Sequence, residues 1–547
     1  MPSKGIKSED LSGPRIDRRT TVKLLGTAGF VGLAGCSSED DDGDTGTGGS
    51  DIEGNDLYGG TLRAGWNVSE MELDPHESFA TQEIYMMKNI FSGLLQINED
   101  LEVVGDIATD WTVSDGGATY TFSLRDDVTF HNGEHLTAED VAYSIRRIQE
   151  EQPPVFSRIE ALLPHDEGGV EVVDDYTIEL NLENPFVVLP INLTADVGGA
   201  GAIVNQTSVE ELGDEYTQLP VGTGPFEVVE HTPGNGLRLE AFDDYFEEDS
   251  DGNQLPYLDA VDVDFIVEDS TRVTAMQAGD LDFASLIPAE NADELDTNPD
   301  VNVFSEPDAT FGSMHFNVAD GPFSSHEARL GLSKVIDRDR YIDETFFGRA
   351  EKAEGPLGPA VGWAYREDKP DDQAYDPEAG RELLEQEGLV GEEFELIHAE
   401  PESRAAEVLA NIIQQEAGID IALRTVDPAT YQDLVPAGDF NIALWGSSAD
   451  PDPDMSLYDQ FGPPETTTNW FQFENEEVFG LLDQQRQETD QEARKEILWE
   501  IEDFLIENAI AAFLDHQEAI AATSTDVNGF NLDIPMVRNF HTTWLES

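Results

Sequence analysis

Residues 394–448 read "FELIHAEPESRAAEVLANIIQQEAGIDIALRTVDPATYQDLVPAGDFNIALWGSS", and this stretch decides the fold class. Three short apolar runs, FELIHAE, IDIALRTV and FNIALWGSS, alternate with two segments that have the apolar spacing of helices. This alternation predicts a β-α-β-α-β unit. Because crossovers of this length are right-handed and return the chain in the same direction, we expect the three strands to be parallel.

The two helices of this unit have sequence signals at their ends. In the first, apolar residues between Ala405 and Ile413 share one face, and Gly418 follows as the stop. The second begins with Asp427 as its N-cap and Pro428 at the first helical position.

The loops that follow the first and third strands are the candidate binding loops. In an open parallel sheet, ligands bind outside the carboxyl ends of the strands. The loop after the third strand, SSADPDPDM, includes Ser447, Ser448 and Asp450. Trp445, two residues before Ser447, is either a core aromatic residue or a platform on which a ligand stacks.

The first third of the folded body is rich in predicted hairpins. TYTFSL alternates as a strand, and VEVVDDYTIELNL and FEVVEHTPGNGLRLEAF each place a turn between alternating arms. LTAEDVAYSIRRI predicts a helix with Thr137 as its N-cap. This part is therefore predicted to be α+β. Since the body exceeds a single ordinary core, two or three domains are expected.

The charge balance is extreme, with 29 Lys+Arg against 115 Asp+Glu. Residues 1–35 contain six of these bases and three of these acids, which leaves a net charge of −89 on the remainder. Such a field repels nucleic acid and excludes it as a partner. Disorder is excluded because 39% of residues are hydrophobic and occur in strand and helix patterns. The composition is typical of proteins from extreme halophiles, where surface carboxylates are screened within roughly 3 Å.

Residues 18–36 read "RRTTVKLLGTAGFVGLAGC" and have the order of an export signal. The apolar part is well short of the roughly 20 residues of a transmembrane helix. Arg18 and Arg19 resemble a twin-arginine signal, and the last four residues resemble a lipobox, in which Cys36 is lipidated and becomes the first mature residue. Residues 1–35 are therefore predicted to be a twin-arginine lipoprotein signal. The alternative is a buried amphipathic helix with a core cysteine.

Residues 36–57 are predicted to be a disordered acidic tether. The run SSEDDDGDTGTGGSDIEGND after Cys36 contains no aromatic residue and one apolar side chain, too little to offset the entropy lost on ordering. Since Cys36 is the only cysteine, we expect no disulfide, no cysteine nucleophile and no cysteine metal site.

Two clusters suggest metal or acid-base chemistry. HNGEH, residues 131–135, spaces two histidines four apart, but its Asn-Gly pair is a turn signal and the spacing aligns ligands only on a helix. DPDPD, residues 450–454, lacks the glycine and closing glutamate of a calcium loop, and the sequence alone cannot place two carboxylates across a cleft as a glycosidase requires. We predict no metal and no cofactor. The sequence has no nucleophile elbow, phosphate loop or dinucleotide fingerprint.

Six segments occur in a recognisable order between residue 59 and about residue 540. They are GGTLRAGWNVSEMELDPHESFA, YTFSLRDDVTFHNGEHLTAEDVAYSIRRI, GTGPFEVVEHTPGNGLRLEAFDDYF, FNVADGPFSSHEARLGLSKVIDRDRYI, YDPEAGRELLEQEG and WGSSADPDPD. Together they resemble family 5 solute-binding proteins, the peptide/nickel group that serves ABC importers.

The resemblance implies an α/β, two-lobe periplasmic-binding-protein-like fold of type II, in its large three-subdomain variant with a two-strand hinge. Lobe I would comprise residues 58–308 and 519–547, with a hairpin-rich subdomain at roughly 95–205. Lobe II would comprise residues 309–518.

The resemblance also assigns ligand-binding positions. Asp450 matches the aspartate that receives the α-ammonium group of a peptide. Ser69, Glu70 and Met71 match the loop after the first strand, which lines the ligand from the other lobe. Dipeptide binders carry an arginine before the helix for the ligand's carboxylate; here Glu400 stands near that place and Arg404 follows one helical turn later.

The function implied is that of a receptor and not an enzyme. It would be held at the membrane by lipid on Cys36, capture peptides by lobe closure and deliver them to the permease of an ABC importer. We expect a monomer. Nickel chelates and oligosaccharides are alternative ligands. The alternatives of other classes are a secreted hydrolase that uses Asp450 or Asp454 and a structural cell-surface protein.

The lipobox predicts where a Cys36→Ala variant will be found. Without the thiol there is no lipid attachment, so the protein should move from the membrane to the medium, and changing Arg18 and Arg19 to Lys should block export. Cell fractionation measures both. A Cys36→Ala variant that stays with the membrane would contradict the lipoprotein assignment.

The net charge predicts that the fold loosens in dilute salt. Lowering the salt to ~0.1 M lengthens the Debye length to roughly 10 Å, so that neighbouring carboxylates repel one another. The melting temperature should therefore be clearly lower than in molar salt. Equal melting temperatures in the two conditions would contradict this interpretation.

Overall fold

The structure is a computed structural model, and it describes residues 57–78, 80–98, 101–447, 451–464, 471–532 and 539–546. These ranges belong to one compact unit, Glu53–Ser547. The predicted signal with Arg18 and Arg19, the lipidation site Cys36 and the tether up to residue 56 lie outside the described residues. Ser448 and Asp450 also lie outside them.

The described residues form twenty strands and fourteen α-helices. The strands are β1 (Thr61–Trp66), β2 (Leu95–Ile97), β3 (Val103–Gly105), β4 (Ala108–Ser114), β5 (Thr119–Leu124), β6 (Val170–Asp174), β7 (Thr177–Asn181), β8 (Phe226–Thr232), β9 (Gly236–Ala241), β10 (Ala260–Phe265), β11 (Phe283–Ala284), β12 (Val301–Pro307), β13 (Gly312–Phe316), β14 (Ala350–Lys352), β15 (Glu393–Ala399), β16 (Asp420–Val426), β17 (Ile442–Gly446), β18 (Ala511–Ser524), β19 (Val527–Asn528) and β20 (Trp544–Leu545). The helices are α1 (Thr81–Ile90), α2 (Ala138–Glu151), α3 (Leu189–Asn192), α4 (Gln206–Leu212), α5 (Asp269–Ala278), α6 (Ala289–Asp296), α7 (His326–Lys334), α8 (Arg338–Phe346), α9 (Pro377–Gln386), α10 (Ser403–Ala417), α11 (Pro428–Leu434), α12 (Pro453–Phe461), α13 (Glu476–Gln487) and α14 (Gln491–Glu507). None of these described helices is long and apolar enough to cross a membrane.

One large sheet contains twelve of the described strands. Its path is β16-β15-β17-β13-β18-β11-β1-β10-β9-β8, and β12 and β14 also pair with β18. Parallel pairs occur in two places, β1 with β10 and β11, and β15 with β16 and β17. This mixed sheet with connecting helices confirms the predicted α/β class.

The β-α-β-α-β unit predicted from residues 394–448 is confirmed. Strand β15 pairs in parallel with β16 along its length and with β17 at Leu396 and Ile397. Helix α10 ends at Gly418, whose φ of +70° is one that glycine adopts readily. Helix α11 begins as predicted, because the side chain of Asp427 accepts a hydrogen bond from the backbone N–H of Thr430 (3.0 Å).

Strand β18 runs through both halves of the large sheet. Residues 511–515 pair with β13, and residues 518–524 pair with β12. The chain also passes directly from β12 to β13 through residues 308–311. Two adjacent chain segments therefore connect the half that contains β15 with the half that contains β1.

The half that contains β15 is buried on both faces. Leu396 and Ile397 are both fully buried, and they belong to different hydrophobic clusters because adjacent strand residues point to opposite faces. Helix α10 covers one face with Leu409, and Tyr431 of α11 belongs to the cluster on the other. Cover on both faces explains why β15 and β17 contain apolar runs without alternation, whereas β16 at the edge of the sheet is only partly buried.

The predicted hairpin-rich part forms a separate antiparallel sheet with the order β4-β5-β7-β6. Helix α2 packs beside this sheet and buries Val141, Ile145 and Ile148. Its start is fixed by Asp140, whose carboxylate accepts a hydrogen bond from the backbone N–H of Thr137 (2.9 Å). The β6–β7 hairpin and the helix start are therefore confirmed, and the other predicted hairpin is β8–β9, which lies at the edge of the large sheet.

Candidate ligand-binding cleft

The carboxyl ends of β15 and β17 lie at one edge of the sheet, since the two strands are parallel. At this edge Ser447 is fixed in place. Its hydroxyl accepts a hydrogen bond from the N–H of Phe311 (2.8 Å), and its own N–H donates to the carbonyl of Phe311 (2.9 Å). The loop after β17 is thus attached to the connection between β12 and β13. Ser448 and Asp450 follow in this loop, outside the described residues.

Trp445 is half-buried near the end of β17. Its ring stacks on that of Tyr431, with the centroids 4.7 Å apart and the planes inclined by 24°. One face of the indole therefore packs against protein, and a ligand would have only the other face for stacking.

Asp452, in the described part of the loop after β17, is held by two groups of the protein. Its carboxylate caps α12 by accepting from the N–H of Asp454 (2.9 Å), and both of its oxygens lie 2.7 Å from the guanidinium of Arg494. Burial disfavours the charge on Arg494, but the neighbouring carboxylate outweighs this effect and raises the pKa of the guanidinium. Two parallel N–H···O bonds of this kind fix orientation as well as position.

Asp454 has the same kind of partner. Its oxygens lie 2.8 and 2.9 Å from Arg486, and it also accepts a hydrogen bond from Gln485. Burial disfavours the charged form of Arg486, but the neighbouring carboxylate of Asp454 outweighs this effect, so the pKa of the guanidinium is raised. Both oxygens of this carboxylate are bound by the guanidinium of Arg486, so its geometry is that of a structural ion pair, which argues against the acid-base role considered for Asp454.

Arg486 also connects helix α13 to the hairpin-rich part of the chain. Its guanidinium lies 3.2 Å from the ring centroid of Tyr458 and 5.4 Å from that of Phe186, which belongs to the hairpin-rich part. The N–H of Val187 donates to the carbonyl of Arg486 (2.8 Å), and Glu160 lies 4.0 Å from its guanidinium. Helix α13 is therefore in direct contact with the hairpin-rich part of the chain.

A cavity of about 760 Å³ lies between these two parts. One wall includes Leu101, Val187 and Ile191, and the other includes Trp363, Pro451 and Arg494. The guanidinium of Arg494 lies 5.1 Å from the ring centroid of Trp363. The volume is in the range of pockets that hold small molecules, and the lining combines apolar walls with a few polar groups, as such pockets do.

The loop after β1 has a different environment. Ser69 and Glu70 are exposed, whereas Met71 is 5% exposed and belongs to the core around β1. None of these three residues lines the 760 Å³ cavity. The structure therefore places Met71 among packing residues, and a ligand contact by this loop stays a prediction.

Arg404 lies at the start of α10 and is engaged by the protein. Its Nε donates to the carbonyl of Glu344 (2.8 Å), and its guanidinium lies 4.5 Å from the ring centroid of Phe347. One terminal nitrogen lies 3.3 Å from the carboxylate of Glu290, a residue of α6.

The two histidines of HNGEH contact different groups. His131 is half-buried with its ring 3.0 Å from the carbonyl of Gly224, and desolvation lowers its pKa to about 4. His135 lies 3.1 Å from the hydroxyl of Tyr176. Among the described residues, no group of three or more His, Cys, Asp or Glu side chains is arranged to hold a metal ion.

The functional partners that the sequence did not reveal are Arg486 and Arg494. They lie 32 and 42 residues from the aspartates they bind. The one feature of the sequence that could have pointed to these two arginines is the scarcity of basic residues in the chain.

Comparison with known proteins gives a consistent result. The sequence profile described as "Bacterial extracellular solute-binding proteins, family 5 Middle" matches residues 102–469. The glutathione-binding protein GsiB of Shigella flexneri serotype 5b (strain 8401) is 29% identical over 351 residues, which cover 64% of this chain and 66% of the relative. The match thus spans slightly less than two thirds of the length of that relative.

Solved structures show the same fold over most of the chain. DppA from Helicobacter pylori, in complex with the peptide STSA, superposes with a TM-score of 0.78 at 23% identity, covering 90% of this chain and 99% of that one. AgaA from A. tumefaciens R10, in complex with agropinic acid, gives a TM-score of 0.76 at 24% identity, covering 89% and 99%. Both are periplasmic binding proteins, which confirms the predicted two-lobe class.

Replacing Arg486 by Gln should destabilise the protein by about 3–5 kcal/mol, because it leaves the carboxylate of Asp454 buried without its charge partner. The matched control is Arg381→Gln, which removes an exposed arginine paired with Glu385 within α9 and should cost less than about 0.5 kcal/mol. Denaturant unfolding in molar salt measures both. Equal losses for the two variants would show that the Asp454–Arg486 pair has no special structural role.

Proposed function

The chain belongs to family 5 of the bacterial extracellular solute-binding proteins, and from this premise we propose that it captures peptides outside the cell and delivers them to the permease of an ABC importer. Proteins of this family are transport receptors and not enzymes. This removes the secreted hydrolase as an alternative. The observation that carries the proposal is the 760 Å³ cavity, whose walls come from two parts of the chain.

We propose that these two parts are the lobes of the receptor, residues 58–308 with 519–547, and residues 309–518. Support comes from the connection between them, which consists of β18 and residues 308–311. Two adjacent strands can absorb a rotation while the packed bodies on either side stay rigid. The contacts of Arg486 with Phe186 and Val187 join the two parts beside the cavity, which supports a closed arrangement of the proposed lobes.

Peptide is the proposed ligand, with Asp450 as the receiver of its α-ammonium group. The similar H. pylori protein was solved with a peptide, and the Shigella relative is named for glutathione, itself a peptide. The residues around Asp450 support the position, because Ser447 is fixed to Phe311 and Pro451 lines the cavity. Nickel chelates and oligosaccharides are the alternative ligands, and mass spectrometry of what co-purifies distinguishes them.

The membrane attachment is proposed from the sequence motif. Export by the twin-arginine pathway and a lipid on Cys36 would place the receptor on the outer face of the cytoplasmic membrane, next to its permease. The acidic segment between residues 36 and 57 would then act as a tether, with an end-to-end distance of roughly 25 Å or more. A monomer is sufficient for this arrangement.

An Asp450→Asn variant tests the ammonium contact. A carboxylate that closure strips of water needs a charged partner, and removing one member of such a pair typically costs about 3–5 kcal/mol, or roughly two to four decades in Kd. We expect Asp450→Asn to keep its melting temperature and to lose most of its affinity for a free-amine peptide, but much less for the N-acetylated peptide. Calorimetry with both peptides measures this, and an equal loss for the two would leave Asp450 with a scaffold role only.

A further inference from the structure

Cations are scarce in this chain, 29 against 115 acidic residues, so the position of each one near the cleft is informative. Arg404 lies at the start of α10, just after the carboxyl end of β15, which is the edge at which an open parallel sheet binds its ligands. Its guanidinium is already engaged by the carbonyl of Glu344, by the ring of Phe347 and by the carboxylate of Glu290. The first two contacts fix its direction, and the third neutralises its charge.

The partner Glu290 belongs to the opposite half of the sheet. Helix α6 begins at Ala289, shortly after β11, which is parallel to β1. The Arg404–Glu290 pair, which we call the cross-cleft pair, therefore connects the starts of two helices that follow parallel strands in different halves of the sheet. A second arginine strengthens the same junction, since Arg349 lies 2.6 Å from Asp293, one turn further along α6.

The cavity itself offers no free cation. Among the described residues that line it, Arg494 is the only cation, and Asp452 holds it through two bonds of 2.7 Å. The acidic residues Glu102 and Glu306 also line the cavity. The described wall is therefore neutral or negative throughout.

We infer, resting on the proposed function, that Arg404 is a positioning residue of the closed conformation and that the receptor binds its peptides without an ion pair to their C-terminal carboxylate. A carboxylate buried without a countercharge is strongly disfavoured. Since an extended chain spans ~3.3–3.6 Å per residue, the carboxylate of a dipeptide lies roughly 7 Å from its ammonium group and stays inside the cavity. Ligands whose C-terminus is blocked, or reaches water, are thus preferred over free dipeptides.

Calorimetry with four peptides tests the inference: a dipeptide and a pentapeptide of alanine and phenylalanine, each as the free acid and as the C-terminal amide, all with free amino termini. With the unaltered protein, the dipeptide amide should bind at least about fivefold more tightly than the acid, while the two pentapeptides should agree within about threefold. A dipeptide acid that binds as tightly as its amide, or more tightly, overturns the inference.

Arg404→Gln and Glu290→Gln test the role of the cross-cleft pair. The pair is half-exposed, with 49% and 53% of the two side chains accessible, so each variant should fold and should weaken every peptide by less than about fivefold, leaving the acid-to-amide ratio unchanged. The double variant should be no weaker than either single one, because both remove the same contact. The control Arg381→Gln should change nothing.

The experiments distinguish a failure of the inference about Arg404 from a failure of the proposed peptide-binding function. If Arg404→Gln selectively weakens the acids, Arg404 binds the ligand carboxylate and the inference is wrong, although the receptor still binds peptides. If none of the four peptides binds to the unaltered protein, the proposed peptide function fails, and the inference fails with it.

Discussion

The whole architecture depends on strand β18, which is hydrogen-bonded to β13 at one end and to β12 at the other. Its side chains enter different cores along its length, with Phe513 and Leu514 in the two clusters around β15 and Ile520 in the cluster below α6. A shift by one residue would move every one of these side chains to the wrong face. One strand therefore fixes the register of both halves of the sheet, and together with residues 308–311 it forms the narrow connection between them.

Charge imposes the second constraint. In a chain with a net charge of −86, arginines are few, and two of them lie under the candidate binding loop. Arg486 and Arg494 hold Asp454 and Asp452 in buried pairs, which salt screens much less than exposed ones. In the concentrated salt that the composition predicts, the loop is thus held by the contacts that salt weakens least. Exposed pairs such as Arg381–Glu385 contribute little under the same conditions.

Local features could be predicted from the sequence, and long-range partners could not. The ends of α10 and α11 follow from Gly418 and Asp427, because a cap acts within four residues of its own position. By contrast, nothing near Asp454 indicates that Arg486 will reach it from 32 residues away. The direction of a side chain could not be predicted either. The resemblance placed Met71 in a ligand-lining loop, whereas its side chain is buried in the core around β1. For Asp450 the sequence supplies the position in the loop, and its contact with a ligand stays a prediction.

These constraints bear on how the protein could recognise a charged ligand at all. In molar salt the Debye length is roughly 3 Å, so an ammonium group gains little from a carboxylate on an open, hydrated surface. The attraction becomes large only where water and ions are excluded. Neither half of the chain encloses the 760 Å³ cavity alone, since its walls come from both, and the hydrogen bond between Val187 and Arg486 joins the halves beside it. On the proposed mechanism, closure and recognition are therefore a single event: an open cleft would attract almost any ligand weakly, and selectivity would arise from the groups that closure strips of water.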